Sequence, residues 1–233
     1  MRICILGNSH AASLKTAWDE LAPSHPDKEL VFFAARSGGL RDLALQGQTL
    51  LPTTESLAQA ISYTSGGRAG IELRDYDLLV TYGLALNLPA LDRRCSGAVL
   101  RQACSDLFCD SLNGHLTRTI REATDKPLYV GHSPQPAAGP EDAGRSDVLL
   151  GYRPVWELVA AAAAVHGARV MPQPDDTFAD EWFTEAKFSV GSTRLDIGDR
   201  ISGKPHPSSD RAHMNKAFGK RWLEHLFRQA ALH

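Results

Sequence analysis

The sequence predicts an α/β fold: a doubly wound parallel sheet of about five strands with helices on both faces. Three observations lead there. Five short apolar runs alternate with segments of helical spacing, the pattern of strand–helix–strand units. The first run, Ile3-Cys4-Ile5-Leu6, is apolar at every position, as a strand buried on both faces must be. The length of 233 residues suits one α/β domain over 1–233, and 43% hydrophobic with 22% charged residues is ordinary for a globular chain.

In chain order, residues 2–6 form the first strand, and Gly7-Asn8 breaks it. From Ala11 onward Leu14, Ala17, Trp18 and Leu21 recur at spacings of three and four, a helix. Turn formers fill 23–27, and 29–35 is a second strand centred on Leu30-Val31-Phe32-Phe33. Residues 41–75 carry only one helical piece, 55–61, among turn formers. The third strand is 77–82. Residues 97–124 read as one long helix on Leu100, Ala103, Leu107, Leu112, Leu116 and Ile120. Residues 128–131 are the fourth strand, with a loop from Gly139 to about Val148 beyond it. The helix at 154–166 has Pro154 in its first turn and stops at Gly167. Residues 168–171 make the fifth strand. The segment 172–205 is irregular, with a short helix expected at 181–188 and a hairpin turned at Gly191-Ser192. An amphipathic helix on Phe218, Trp222 and Leu226 spans 214–232.

Charge and cysteines narrow the function classes. A formal net charge of −2 gives no basic field for nucleic acid. No apolar run approaches a membrane span; the alanine-rich 159–165 reads as a packed helix. The start at Met1-Arg2 shows no secretory leader pattern. Cys4 reads as a small buried hydrophobe, and Cys95, Cys104 and Cys109 lack zinc-type spacing. A cytoplasmic protein with reduced cysteines, without metal or cofactor, is the expectation, with a disulfide among the last three as the lesser alternative.

The chemistry concentrates in two short blocks at opposite ends. Ser9 follows Gly7-Asn8 in a tight strand-to-helix turn at the carboxyl end of the first strand, where open α/β sheets place ligands. The free N–H groups of the next helix suit an anion or oxyanion beside it. A helix cap is the alternative role for this serine. The second block is Asp210-Arg211-Ala212-His213. A serine nucleophile needs a base, and a histidine base works best when a carboxylate orients its ring. Otherwise Asp210 is a first-turn carboxylate favourable to the helix dipole.

Gly7-Asn8-Ser9 and Asp210-x-x-His213 together resemble the first and last signature blocks of the SGNH hydrolases, the GDSL esterase superfamily, whose sheet is flavodoxin-like. The resemblance spans nearly the whole chain on short motifs. It implies Ser9 as nucleophile, His213 as base and Asp210 as the carboxylate that orients it. It also implies an oxyanion hole from the N–H groups of Ser9 and of a glycine after the second strand, Gly38 the better match and Gly39 the fallback. The family's Gly-x-Asn block is incomplete. Aligning its glycine with Gly83 puts Ala85 where asparagine belongs, and aligning its asparagine with Asn87 puts Ala85 where glycine belongs. Asn87 is either the third donor or a loop residue before Pro89.

His132, at the end of the fourth strand, and Asn8, beside Ser9, are candidate substrate contacts; a loop histidine bonded to its own backbone is the alternative for His132. His206 is a rival base, but Gly203 stands three residues before it, where Asp210 precedes His213. His10 should point away along the first helix. The resulting expectation is a serine acyl-ester hydrolase that removes a small acyl group, acetyl among them, from a carbohydrate or similar alcohol through an acyl-enzyme. An O-acyltransferase with the same triad and a saccharide acceptor, or a non-catalytic saccharide-binding relative, are the alternatives. The partner is a small-molecule or saccharide ester, with no nucleic acid and no membrane; nothing in the sequence sets an oligomeric state.

Overall fold

The computed structural model of the protein describes residues 1–142 and 148–231. The chain opens with β1 (Arg2–Gly7) and α1 (Ala11–Leu21), then β2 (Glu29–Ala34). Residues 43–72 form a small antiparallel sheet, β3 (Leu43–Gln46), β4 (Thr49–Pro52) and β5 (Ile71–Glu72), with α2 (Glu55–Ser65) between its last two strands. There follow β6 (Leu78–Gly83), α3 (Gly97–Asp110), α4 (Leu112–Arg121), β7 (Leu128–His132), α5 (Tyr152–Val165), β8 (Arg169–Met171) and α6 (Lys216–Ala230).

The main sheet has the order β2-β1-β6-β7-β8, and every pair is parallel. This is the expected doubly wound α/β arrangement. Side chains of β1 alternate between two cores. Cys4 and Leu6 face a layer that includes residues of α2, α3, α4 and α5. Ile3 and Ile5 face α1 and α6. Because both faces are covered, no polar alternation survives in β1, which is why its run is continuously apolar. β1 pairs with β2 on one side and β6 on the other, so the winding reverses at its carboxyl end. A crevice opens at such a switch point.

α6 lies unusually close to α1. A Cβ built at Gly219 would stand 2.0 Å from the Ser13 carbonyl oxygen and 3.0 Å from the Ala17 Cβ. Only glycine permits that approach, and it brings the segment entering α6 over the start of α1.

Four sequence expectations need correction. The long helix over 97–124 is two helices. Ser111 adopts extended backbone (φ −69, ψ 156), ends α3, and caps α4 by accepting the Gly114 N–H at 3.0 Å. The step of five from Leu107 to Leu112, out of phase with a helical face, marks this break. The helix expected at 181–188 shrinks to a single 3₁₀ turn at Ala186–Phe188. Gly191-Ser192 turns no hairpin; Thr193 instead makes an isolated antiparallel bridge with Pro205. The last helix begins at Lys216, because Asn215 caps it by accepting the Ala217 and Phe218 N–H groups at 3.0 and 3.2 Å. The loop expected to run to about Val148 and the helix end at Leu232 lie partly outside the described residues.

Cys4 is fully buried, as its place in β1 requires, and the four cysteines are free. Among the described residues no helix is long and apolar enough to cross a membrane.

Candidate active site

Asn8 shapes the turn that presents Ser9. Its Oδ1 accepts the His10 N–H at 3.1 Å, and the Ala11 N–H donates to the Asn8 carbonyl at 3.0 Å. The same Oδ1 sits where a Cβ on Gly83 would come within 2.4 Å, so β6 must end in glycine for the turn to fit. Expected to touch substrate, Asn8 is instead buried and holds backbone, which leaves only its amide nitrogen for a ligand.

The 210–213 block reaches Ser9 from the irregular segment before α6. The Ala137 N–H donates to the Arg211 carbonyl at 2.7 Å, and Arg211 Nε donates to the Ala137 carbonyl at 2.6 Å. The Asn215 N–H donates to the Phe188 carbonyl at 2.7 Å, and its side-chain amide donates to the Lys187 and Val190 carbonyls, each at 2.8 Å. The block is thus anchored on two sides.

The result brings Ser9, Asp210 and His213 together. His213 Nε2 lies 3.0 Å from Ser9 Oγ, and His213 Nδ1 lies 2.9 Å from Asp210 Oδ2. Asp210 Oδ1 accepts the Ala212 and His213 backbone N–H groups, each at 2.9 Å. Burial pulls the Asp210 pKa upward, but these N–H donors and the His213 ring outweigh it and hold the carboxyl below its ordinary range. An ionised carboxylate only accepts, so the His213 proton sits on Nδ1 and its Nε2 accepts from the serine hydroxyl.

Two more histidines flank this ring. His206 stacks on His213 with centroids 3.9 Å apart and planes at 10°, and its Nδ1 lies 3.1 Å from the same Asp210 Oδ2. His10 stacks on the other side at 4.9 Å and 26°. His10 therefore points toward His213 rather than away along α1, since it precedes the helix and the turn aims its ring. Burial, then the nearby His213 charge, lowers the His10 pKa to about 3, so it stays neutral. His206, Asp210 and His213 offer ligand atoms within 4.8 Å of one another, close enough to consider a cation. Asp210 Oδ2 is hydrogen-bonded to His213 Nδ1, and the stacked His206 ring brings its Nδ1 to 3.1 Å from the same oxygen.

The other expected residues fare unevenly. Gly38 is exposed in the loop after β2, beyond Ser37 (φ 54), and a Cβ there would meet nothing within 4 Å. Asn87 is exposed and lines a cavity of about 220 Å³ with His10, Leu88, Ser133, Gln135 and Ala212. The residues that lead to it are unusual: Gly83, Leu84 and Ala85 all have positive φ (76, 45 and 61). Left-handed backbone at two non-glycine residues is a local strain of the kind found beside functional sites.

His132 does not reach the crevice as expected. It is 3% exposed, with Nδ1 2.6 Å from the Ser133 carbonyl and Nε2 2.8 Å from Tyr152 Oη. A carbonyl accepts only, so Nδ1 carries the proton and Tyr152 donates to Nε2, while the Gln173 N–H donates to Tyr152 Oη at 2.6 Å. With both nitrogens occupied, His132 is a core residue. Its neighbours Ser133 and Gln135, not singled out from sequence, line the cavity instead; their place directly after β7 was the available signal.

A second cavity of about 520 Å³ lies at the start of α5, lined by Arg93, Tyr152, Arg153, Asp175 and Glu181. Neither cavity is lined by Ser9 or His213 themselves, but the smaller one is lined by their chain neighbours His10 and Ala212, whereas the larger one is not. Arg153 pairs with Asp175 within the larger one.

No family model and no curated protein matches the chain. Among solved structures it is similar to a DUF4886 family protein from Bacteroides uniformis ATCC 8492, at TM-score 0.44 and 11% identity over 98% of this chain and 83% of that one. It is also similar to a gut microbial diltiazem-metabolizing enzyme, at TM-score 0.35 and 12% identity over 73% of this chain and 36% of that one.

Proposed function

We propose that the protein is a serine acyl-ester hydrolase of SGNH type. The observation that carries this reading is the unbroken relay from Ser9 Oγ through His213 to Asp210, with contacts of 3.0 and 2.9 Å. In it, Ser9 Oγ attacks the ester carbonyl carbon while its proton passes to His213 Nε2. The imidazolium so formed keeps its Nδ1–H on Asp210. As the tetrahedral intermediate collapses, the bond to the alcohol oxygen breaks and His213 returns the proton to that oxygen. Water, deprotonated by the same nitrogen, then releases the acyl group as its acid.

The oxyanion is received by the N–H groups of Ser9 and Gly38, with the Asn87 side chain as third donor. Support for Gly38 is its exposed backbone after β2, and for Asn87 its place in the cavity beside His10. Support for a small, uncharged substrate group is the cavity itself. About 220 Å³ beside His10 and Ala212 suits a short acyl chain or a small alcohol. Among the described residues its lining has neutral polar side chains, Asn87, Ser133 and Gln135 with an uncharged His10, and no carboxylate or cationic group. An acetyl ester of a saccharide hydroxyl satisfies both conditions.

The test is p-nitrophenyl acetate with pre-steady-state detection. Wild type is expected to release p-nitrophenol in a burst equal to the enzyme concentration, and a fluorophosphonate to label Ser9. Ser9→Ala should lose both. A burst that survives in Ser9→Ala, or no labelling of wild type, defeats the reading.

A further inference from the structure

Two glutamines meet beyond the carboxyl ends of β7 and β8, and only one has its carboxamide paired. Gln173 is buried with that group fully used. Its Oε1 accepts the Gln135 N–H at 2.9 Å, and its Nε2 donates to Thr184 Oγ1 at 2.9 Å and to Thr177 Oγ1 at 3.1 Å. Gln135 is nearly as deep, at 5% exposed, and its backbone is held on both sides, since Thr184 Oγ1 donates to its carbonyl at 2.6 Å. Pro134 and Pro136 flank it and restrict the chain further. Yet among the described residues the Gln135 carboxamide forms no hydrogen bond. Ser133 Oγ, two residues earlier, is sealed and unpaired; neither polar atom of the Gln135 amide is sealed in that way, and Gln135 lines the cavity of about 220 Å³. A buried amide without partners is costly, because its lost hydration is not recovered. Beside a network as complete as that of Gln173, such a group marks where a ligand supplies the missing bonds.

We propose that Gln135 is a specificity-determining residue: its carboxamide binds a free hydroxyl next to the esterified one on the alcohol. The preferred substrate is then a monoacyl ester of a vicinal diol, as in a partly acylated saccharide. This selectivity presupposes the acyl-transfer reading above; the unpaired carboxamide does not. The cavity is lined by His10 and Ala212, the chain neighbours of Ser9 and His213, so what fills it lies close to the ester group. An acetyl group carries no hydroxyl, which leaves the alcohol to provide it. A carboxamide donates through Nε2 and accepts through Oε1, and a hydroxyl can answer either. An alkyl group in the same place would leave both atoms dry and unpaired. Discrimination comes from that penalty more than from the bond gained. With no carboxylate or cation among the described lining residues, a neutral hydroxyl is matched in charge as well.

2-Hydroxyethyl acetate and propyl acetate have nearly the same shape and differ by a hydroxyl against a methyl. Wild type should favour the first roughly ten- to a hundredfold in kcat/KM. Gln135→Leu keeps the volume and removes both polar atoms, so that ratio should fall to within about threefold. Its melting temperature should hold or rise, because the substitution removes a buried amide that has no partner. Equal kcat/KM for the two esters in wild type, an undiminished ratio in Gln135→Leu, or a clear fall in its melting temperature overturns the proposal. A second measurement does not depend on turnover. In ¹⁵N-labelled Ser9→Ala, the Gln135 side-chain amide resonances should shift on titration with 2-hydroxyethyl acetate and stay in place with propyl acetate. An equal response to both would sink hydroxyl recognition even in an active esterase. A wild type inert toward p-nitrophenyl acetate, with the amide still selective, would end only the hydrolase reading.

Discussion

Ser9 Oγ and His213 Nε2 lie 3.0 Å apart although 204 positions separate them in the chain. Local preference cannot produce such a contact. It follows from β1 ending at the switch point of the sheet, from α6 packing on α1 at Gly219, and from the Arg211–Ala137 brace that directs the intervening block.

Asp210→Asn tests the orienting carboxylate. Asparagine keeps an oxygen for the two backbone N–H groups but turns an amide toward the His213 Nδ1 donor. His213 must then surrender its Nδ1 proton and protonate Nε2, which faces Ser9. Acylation is expected to fall by roughly 10³–10⁴-fold, the cost of a wrong tautomer. The urea midpoint should shift far less, since the turn remains. A large midpoint shift with a nearly unchanged burst rate would assign Asp210 a structural role.

Asn87→Ala addresses the incomplete Gly-x-Asn block. If the side chain of Asn87 reaches the oxyanion, kcat should drop about 10²–10³-fold with KM little changed. Unaltered kcat would show that Ser9 and Gly38 suffice. Asn87 is exposed, so its removal should leave stability within about 0.5 kcal/mol.

The pH dependence of stability should carry the mark of His132. Burial lowers its pKa from 6.5 to about 4, against the opposing hydrogen bond to the Ser133 carbonyl. Between those values the unfolded chain binds a proton that the folded protein refuses, so stability rises with pH. Its full value is present above about pH 6.5 and is lost as pH falls toward 4, by up to about 3 kcal/mol. In His132→Gln the difference in unfolding free energy between pH 7.5 and pH 4.5 should shrink. An undiminished difference would place the acid sensitivity at other histidines, with His10 the first to examine.

Ala85→Gly should stabilise the protein. Ala85 is exposed at φ 61, a conformation that costs an L-residue about 1–2 kcal/mol and glycine nothing. Glycine returns about 0.4–1 kcal/mol of that through its freer unfolded chain. A net gain of roughly 0.5–1 kcal/mol by chemical denaturation is expected. A loss would mean that the turn after β6 is not left-handed in solution.

Several features were legible in the residues alone. The five main strands appear as apolar runs because both faces of each are covered. The turn at Ser9 is marked by Gly7-Asn8 between a strand pattern and a helical one. Other features were not. The small sheet at 43–72 has strands of two to four residues, too short for any periodicity to declare itself. His132 sat at the right edge of the sheet for a ligand contact, yet Tyr152 from α5 covers it.

The sequence by itself determined the class of fold and the two blocks that hold a serine, a carboxylate and a histidine, because burial imposes a period on regular elements and capping chemistry is local. Only the tertiary structure decided which rings face one another. His206, Asp210 and His213 occupy an irregular segment with no period to read, and His10 precedes its helix. Their directions are set by elements packed from distant parts of the chain, and a hydrogen bond depends on direction where burial depends only on depth.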